Sequence, residues 1–254
     1  MVQGLTEFLP VSSSGHLVVV PWLFDWTELT RNPELNRAFD VALHMGTFAG
    51  VLVYFRRDLL RLVARERRLG ALLLVSSIPA AVVGAALDAV LGDDFGPEWL
   101  IGVLLVVFGL VLLWADRLTG ERREGEFGVR EALLMGAAQA AALQPGVSRS
   151  GATISMARWL GFERDAAARL SFLMSIPIIA GAGLYEGVKL VGEGGIPPGF
   201  APAFAVGTLT SGATGFVAVW ALLRYVRSHS FRPFVAYRVV AGIAIVLVAA
   251  STLR

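Results

Sequence analysis

Two short stretches of the sequence carry the residues whose types and spacing could do chemistry. The first holds Gln3 and Glu7 and then the run Pro10-Val11-Ser12-Ser13-Ser14-Gly15-His16; the second is Pro145-Gly146-Val147-Ser148-Arg149-Ser150-Gly151. Glu7 can bind a hard divalent cation or act as a general base. Gln3, four residues earlier on the same helical face, can exchange hydrogen bonds but cannot be a base. Arg149 presents a planar fork suited to phosphate oxygens, with a plain charge pair to Glu7 as the purely structural alternative. Each run should lead straight into a helix, at Gly15–Phe24 and Gly151–Gly161, and a helix start offers free N–H groups and the positive end of its dipole. Ser12, Ser13, Ser14, Ser148 and Ser150 add hydroxyl donors or helix caps. Together Gln3, Ser12, Ser14, Gly146, Ser148, Arg149 and Ser150 are expected to cradle a multiply charged anion, phosphate above all. Glu7, His16 and Arg149 are the expected catalytic residues by type and placement, with His16 protonating a leaving group or orienting a nucleophile.

The metal chemistry is narrowed by what the chain lacks. It has no cysteine and only three histidines, His16, His44 and His229. Oxygen ligands therefore point to Mg²⁺ or Ca²⁺ held at Glu7 rather than to zinc. Asp40 and His44 share a helical face and are weaker candidates, equally suited to solvating a pore or pairing with each other. His229 sits in a basic loop and is expected to be a bystander.

The elements that must position these residues are membrane helices. Of 254 residues, 56% are hydrophobic and 17% charged, against about a quarter charged in a soluble domain; the mean hydropathy is +0.66. Thirty residues between Glu193 and Arg224, and nineteen between Arg68 and Asp88, carry no charge, lengths that match the hydrocarbon core of a bilayer. A soluble enzyme, a disordered chain and a nucleic-acid binder are thereby excluded, although the isoelectric point near 9.4 invites the last. Apolar spans fall at 39–55, 69–91, 99–115, 170–190, 200–223 and 234–253, while 1–24 and 131–162 are apolar but interrupted by the two runs above. The expected fold is all-α: six transmembrane helices plus two re-entrant helical hairpins in a single polytopic membrane domain, 1–254. No removable signal peptide is recognisable. Arginines crowd the 56–68, 116–130 and 224–238 segments, whereas 88–98 carries Asp88, Asp93, Asp94 and Glu98 without a basic residue. That alternation places the arginine-rich loops in the cytoplasm, where the 56–68 arginines are expected to meet anionic lipid heads. Gly207, Gly212 and Gly215 should serve close helix packing.

The two interrupted regions align at an offset of 136: Gln3 with Gln139, Val11 with Val147, Ser12 with Ser148, Ser14 with Ser150 and Gly15 with Gly151. Each is followed by three apolar spans. A returning hairpin plus three crossings makes an odd unit, so its duplicate must be upside down, giving inverted repeats 1–115 and 131–254. Such repeats place their site where the interrupted helices meet near the midplane.

At this point the sequence resembles a known family. Gln3-Gly4-Leu5-Thr6-Glu7-Phe8-Leu9-Pro10-Val11-Ser12-Ser13-Ser14-Gly15-His16 is similar to the first signature of the bacterial undecaprenyl-diphosphate phosphatases of the bacitracin-resistance type. Pro145-Gly146-Val147-Ser148-Arg149-Ser150-Gly151-Ala152-Thr153 is similar to the second, and the likeness continues through Ser171-Phe172-Leu173 and Ile176-Pro177. The resemblance implies a hydrolase in the bacterial inner membrane that converts undecaprenyl diphosphate to undecaprenyl phosphate, recycling the lipid carrier for cell-wall precursors. It also implies dependence on a divalent cation and a site open to the extracytoplasmic side. By position, Glu7 would be the essential acid, Gln3 its partner, and Ser13, His16 and Arg149 the other functional residues. Many members have Glu at the position of Gln3, which puts a two-carboxylate mechanism in question for this chain. Many also carry further apolar residues ahead of this motif, so either the first helix is short or the sequence begins late. The rival reading is a polyprenyl-phosphate flippase or anion transporter of the same inverted-repeat build. Membrane lipid is the expected surrounding, no nucleic-acid partner is expected, and homo-oligomerisation is left open.

Overall fold

The computed structural model describes residues 1–26, 32–91, 96–192, 195–196 and 199–251; Asp93 and Asp94 of the acidic loop lie outside the described residues. Among these the fold is helical, with no strand: α1 (Val2–Phe8), α2 (Ser13–Leu23), α3 (Pro33–Ala64), α4 (Arg67–Val75), α5 (Ile78–Leu91), α6 (Glu98–Arg117), α7 (Val129–Ala141), α8 (Arg149–Trp159), α9 (Arg164–Gly192), α10 (Ala201–Val226) and α11 (Arg232–Ala250). Among the described residues six stretches are long and apolar enough to cross a membrane, with α4 and α5 counting as one. The interrupted regions are the short pairs α1–α2 and α7–α8, each helix too short to cross alone.

Polar ends extend several spans beyond their apolar cores. The span expected at 39–55 runs from Pro33 to Ala64, with Asn32 accepting a bond from the Leu35 amide as cap. Arg56, Arg57 and Arg61 therefore stand on the last turns of α3 rather than in a loop. The span expected at 69–91 is interrupted at Ser76–Ser77. Both hydroxyls there donate back to the Leu73 carbonyl, and Pro79 has no N–H to extend the ladder across the turn.

Helices α3 and α10 are in close contact through small residues, as are α6 and α11. A Cβ on Gly50 would lie 2.5 Å from the Gly212 carbonyl oxygen, and one on Gly46 would lie 2.2 Å from that of Thr208. Gly102 and Gly242 face each other's carbonyls in the same way, at 2.7 and 2.5 Å. Backbone-to-backbone approach of this kind replaces the hydrophobic drive that helices in lipid lack. The expected packing role of Gly212 holds, since its own Cβ would meet the Gly46 carbonyl at 2.9 Å.

On the arginine-rich face, ion pairs tie helix ends together. Arg164 Nε donates to Asp116 Oδ1 at 2.5 Å, and the buried Asp116 also accepts the Phe231 amide at 3.1 Å, joining α9, α6 and α11. Arg169 reaches Asp58 at 2.8 Å and also Glu124. Much of the interior is apolar, with Phe8, Val51, Phe55, Leu112, Met135, Ile154 and Val219 all inaccessible to solvent.

Gly50→Ala is expected to lower the thermal midpoint in detergent by the equivalent of about 1–3 kcal/mol, the usual cost of overpacking. Gly187→Ala, whose Cβ would meet nothing within 4 Å, should leave the midpoint unchanged or slightly raised.

Candidate active site

The two breaks have the same local geometry. Ser12 and Ser148 both take positive φ, 72° and 74°, a region that serine rarely occupies and that costs about 1–3 kcal/mol. Each caps the helix it precedes, accepting the amide of Gly15 at 3.3 Å and of Gly151 at 3.2 Å. Their hydroxyls also lie 3.4 and 3.3 Å from those of Ser14 and Ser150. Helices α2 and α8 thus begin two residues earlier than expected, at Ser13 and Arg149. Those two residues occupy equivalent positions at the offset of 136.

Across the junction the breaks bind each other. The Gly146 amide donates to Ser12 Oγ at 3.1 Å, and Ser150 Oγ donates to the Leu9 carbonyl at 3.0 Å. Arg149 Nη2 donates to Glu7 Oε1 at 2.7 Å, so the charge pair foreseen as the structural alternative is present. Glu7 Oε2 accepts Ser13 Oγ at 2.6 Å and Gln3 Nε2 at 2.8 Å, and His44 Nε2 approaches it at 3.7 Å. The carboxylate is buried and acceptor-saturated on that oxygen, which holds it in one orientation.

A cavity of about 520 Å³ opens beside this cluster, with Glu7, Ser13, Ser14, Ser148 and Arg149 on its wall. Apolar side chains, among them Val41 and Met45 of α3 and Ile178 and Ile179 of α9, share the rest of the lining with Asn36, Arg37, Gln139 and Glu186. Of the residues expected to cradle an anion, Ser14, Ser148 and Arg149 face this cavity. Gln3, Ser12, Gly146 and Ser150 are instead spent on internal bonds that shape the two breaks. Asp40 and His44, ranked low from the sequence, also line it.

His16 lies apart from the Glu7 cluster. Its Nδ1 is 2.6 Å from the Ser12 carbonyl oxygen and its Nε2 is 2.6 Å from the Tyr237 hydroxyl, and it is not on the cavity wall. A carbonyl can only accept, so Nδ1 carries the proton and Nε2 accepts from the tyrosine. In this geometry His16 holds the first break by its carbonyl and does not face the cavity.

Arg238 corrects an expectation. Counted as a boundary charge of the 224–238 segment, it is fully buried within α11. Its guanidinium donates to carbonyls of both breaks, Pro10 at 3.3 Å, Gly146 at 2.9 Å and Val147 at 3.0 Å, and to Leu105 at 3.1 Å. Carbonyls freed by broken helices need donors at membrane depth, and one arginine supplies them. The signal was available in the sequence: Arg238 stands inside the last apolar span, four residues past its start at 234.

The donor set fits a substrate-borne cation better than a protein-built cage. Among the described residues no three of His, Cys, Asp and Glu gather to hold a metal. Glu7 and Asp40 bring carboxylates to the cavity, and magnesium is commonly held by one or two carboxylates plus substrate phosphates and water.

The chain matches the family model described as bacitracin resistance protein BacA over residues 1–244. Among curated relatives, an undecaprenyl-diphosphatase of Thermomicrobium roseum is 45% identical over 270 residues, covering 98% of this chain and 95% of the relative. That of Desulforudis audaxviator is 47% identical over 259 residues, with coverage of 98% and 95%. That of Geobacter sulfurreducens is 44% identical over 259 residues, with 96% and 94%.

Two variants test the assignment of supporting roles. Arg238→Met leaves several buried carbonyls without donors, at about 1–3 kcal/mol each, and should abolish accumulation of folded protein, with Arg238→Lys intermediate. His16→Ala should lower activity and thermal midpoint together and leave the pH profile of activity in shape. Loss of one limb of that profile at an unchanged midpoint would place His16 in proton transfer instead.

Proposed function

Because the chain belongs to the bacitracin resistance protein BacA family, we infer that it is an undecaprenyl-diphosphatase of the membrane. It hydrolyses undecaprenyl diphosphate to undecaprenyl phosphate and phosphate, which returns the lipid carrier to cell-wall synthesis and underlies resistance to bacitracin. The observation that carries the chemistry is the pairing of Ser13 and Arg149 on the two oxygens of Glu7, at 2.6 and 2.7 Å, on the wall of one cavity.

In this reading Ser13 is the nucleophile and Glu7 its base. The Ser13 proton passes to Glu7 Oε2 as Oγ attacks the terminal phosphorus, and the bond from that phosphorus to the bridging oxygen breaks, releasing undecaprenyl phosphate. Glu7 gives that proton up with the departing undecaprenyl phosphate. Water then attacks the phosphoserine and passes a proton to the freed Glu7 carboxylate. The bond from phosphorus to Ser13 Oγ breaks, Glu7 returns the proton to Oγ, and free phosphate departs. Arg149 spends one N–H on Glu7, and its remaining donors suit the equatorial oxygens of the transferred group, where charge stabilisation supplies most of the rate. A divalent cation, Mg²⁺ or Ca²⁺, held by Glu7 or Asp40 and the diphosphate oxygens would neutralise charge on the phosphoryl group. The polyprenyl tail leaves past the apolar side chains that α3 and α9 bring to the cavity, Val41, Met45, Ile178 and Ile179. The arginine alternation supports placing the protein in the inner membrane with the cavity open to the extracytoplasmic side. The matched breaks, with Ser13 and Arg149 at equivalent positions, support an inverted duplication of 1–115 and 131–254 built on re-entrant hairpins.

Phosphate release from undecaprenyl diphosphate by the purified protein tests this reading. Glu7→Gln should reduce release about 10²–10⁴-fold, the usual weight of a positioned base, with the fold retained. Ser13→Ala should lose at least as much, and near-normal release by that variant would assign the attack to water. EDTA should stop release by the parent protein. Lipid translocation by the parent without any phosphate release would favour the flippase reading.

A further inference from the structure

We propose that the Gln139 carboxamide is a contact for the diphosphate headgroup, a binding residue on the cavity wall beyond the serines and Arg149. This rests on the hydrolase reading above. Gln139 stands on α7 and lines the same cavity as Glu7, Ser13 and Arg149. It is 2% exposed, and neither Nε2 nor Oε1 has a hydrogen-bond partner in the protein. A buried amide with both ends unpaired costs free energy that the fold has no reason to bear.

The surroundings make that cost conspicuous. From Ala132 to Leu143 every other side chain is Ala, Leu, Met or Gly, so methionine at 139 would fill the space without a polar penalty. The comparison with Gln3 shows what is missing. Gln3 Nε2 donates to the Glu7 carboxylate one turn on, whereas the position one turn past Gln139 is Leu143. The second half thus keeps the amide and lacks the acceptor. A diphosphate brings the missing chemistry: anionic oxygens to accept from Nε2, and a protonated phosphate oxygen or a cation-bound water to donate to Oε1.

The test uses the full chain in detergent, with Gln139→Met and Gln139→Leu. Thermal midpoints are measured with and without inorganic pyrophosphate, and KM and kcat with undecaprenyl diphosphate. Both variants should unfold at or above the parent midpoint, lose the stabilisation by pyrophosphate and raise KM about tenfold or more, the weight of one hydrogen bond to a charged group, with a smaller change in kcat. Unchanged KM and retained pyrophosphate stabilisation would overturn the proposal. So would a midpoint that falls in both variants at constant KM, which would make the amide structural. If the parent released no phosphate yet its pyrophosphate stabilisation required Gln139, the headgroup contact would stand and the hydrolase reading would fail.

Discussion

A carboxylate and a guanidinium, Glu7 from the first break and Arg149 from the second, meet at 2.7 Å on the wall of one cavity. Either charge alone would be costly at membrane depth. Together they make a neutral pair that fixes each side chain and also joins the two halves of the chain. The pair is incomplete as a structural device, since Arg149 keeps donors unspent and Glu7 holds a serine hydroxyl in addition. A salt bridge built only for stability would leave neither resource facing a cavity.

That pair depends on backbone that no membrane helix could otherwise tolerate. Each break leaves carbonyl groups unpaired and forces a serine to positive φ. The cost is offset by bonds across the junction, from Gly146 to Ser12, from Ser150 to Leu9 and from Arg238 to carbonyls on both sides. His16 adds a further bond to the Ser12 carbonyl. The long helices then hold this core in place by backbone contact at Gly46, Gly50 and Gly212, and at Gly102 and Gly242. Rigid support of this kind keeps reacting groups within the narrow tolerance that phosphoryl transfer requires.

Much of this was legible in the residues. The number of crossings follows from charge-free lengths, and the breaks announce themselves by Pro, Ser and Gly inside apolar runs. Glu7, Ser13 and Arg149 stand out because charge and hydroxyl clusters are costly there. What the sequence could not separate was function from support among neighbouring polar residues. Ser12 and Ser14 look alike in sequence, yet one caps a helix and the other faces the cavity. His16 adjoins the motif but turns to Tyr237, while His44, on a helix from elsewhere in the chain, arrives 3.7 Å from Glu7. These outcomes depend on side-chain direction and on long-range packing, which spacing along one chain does not encode.

The most direct test of the central claim is a double-mutant cycle on the pair itself. The ratio kcat/KM for undecaprenyl diphosphate is measured for the parent, Glu7→Gln, Arg149→Met and the double variant. Residues that act as one unit are strongly non-additive, so the double variant should be no worse than the poorer single. Losses that multiply would contradict the account, because Glu7 and Arg149 would then be acting as independent groups.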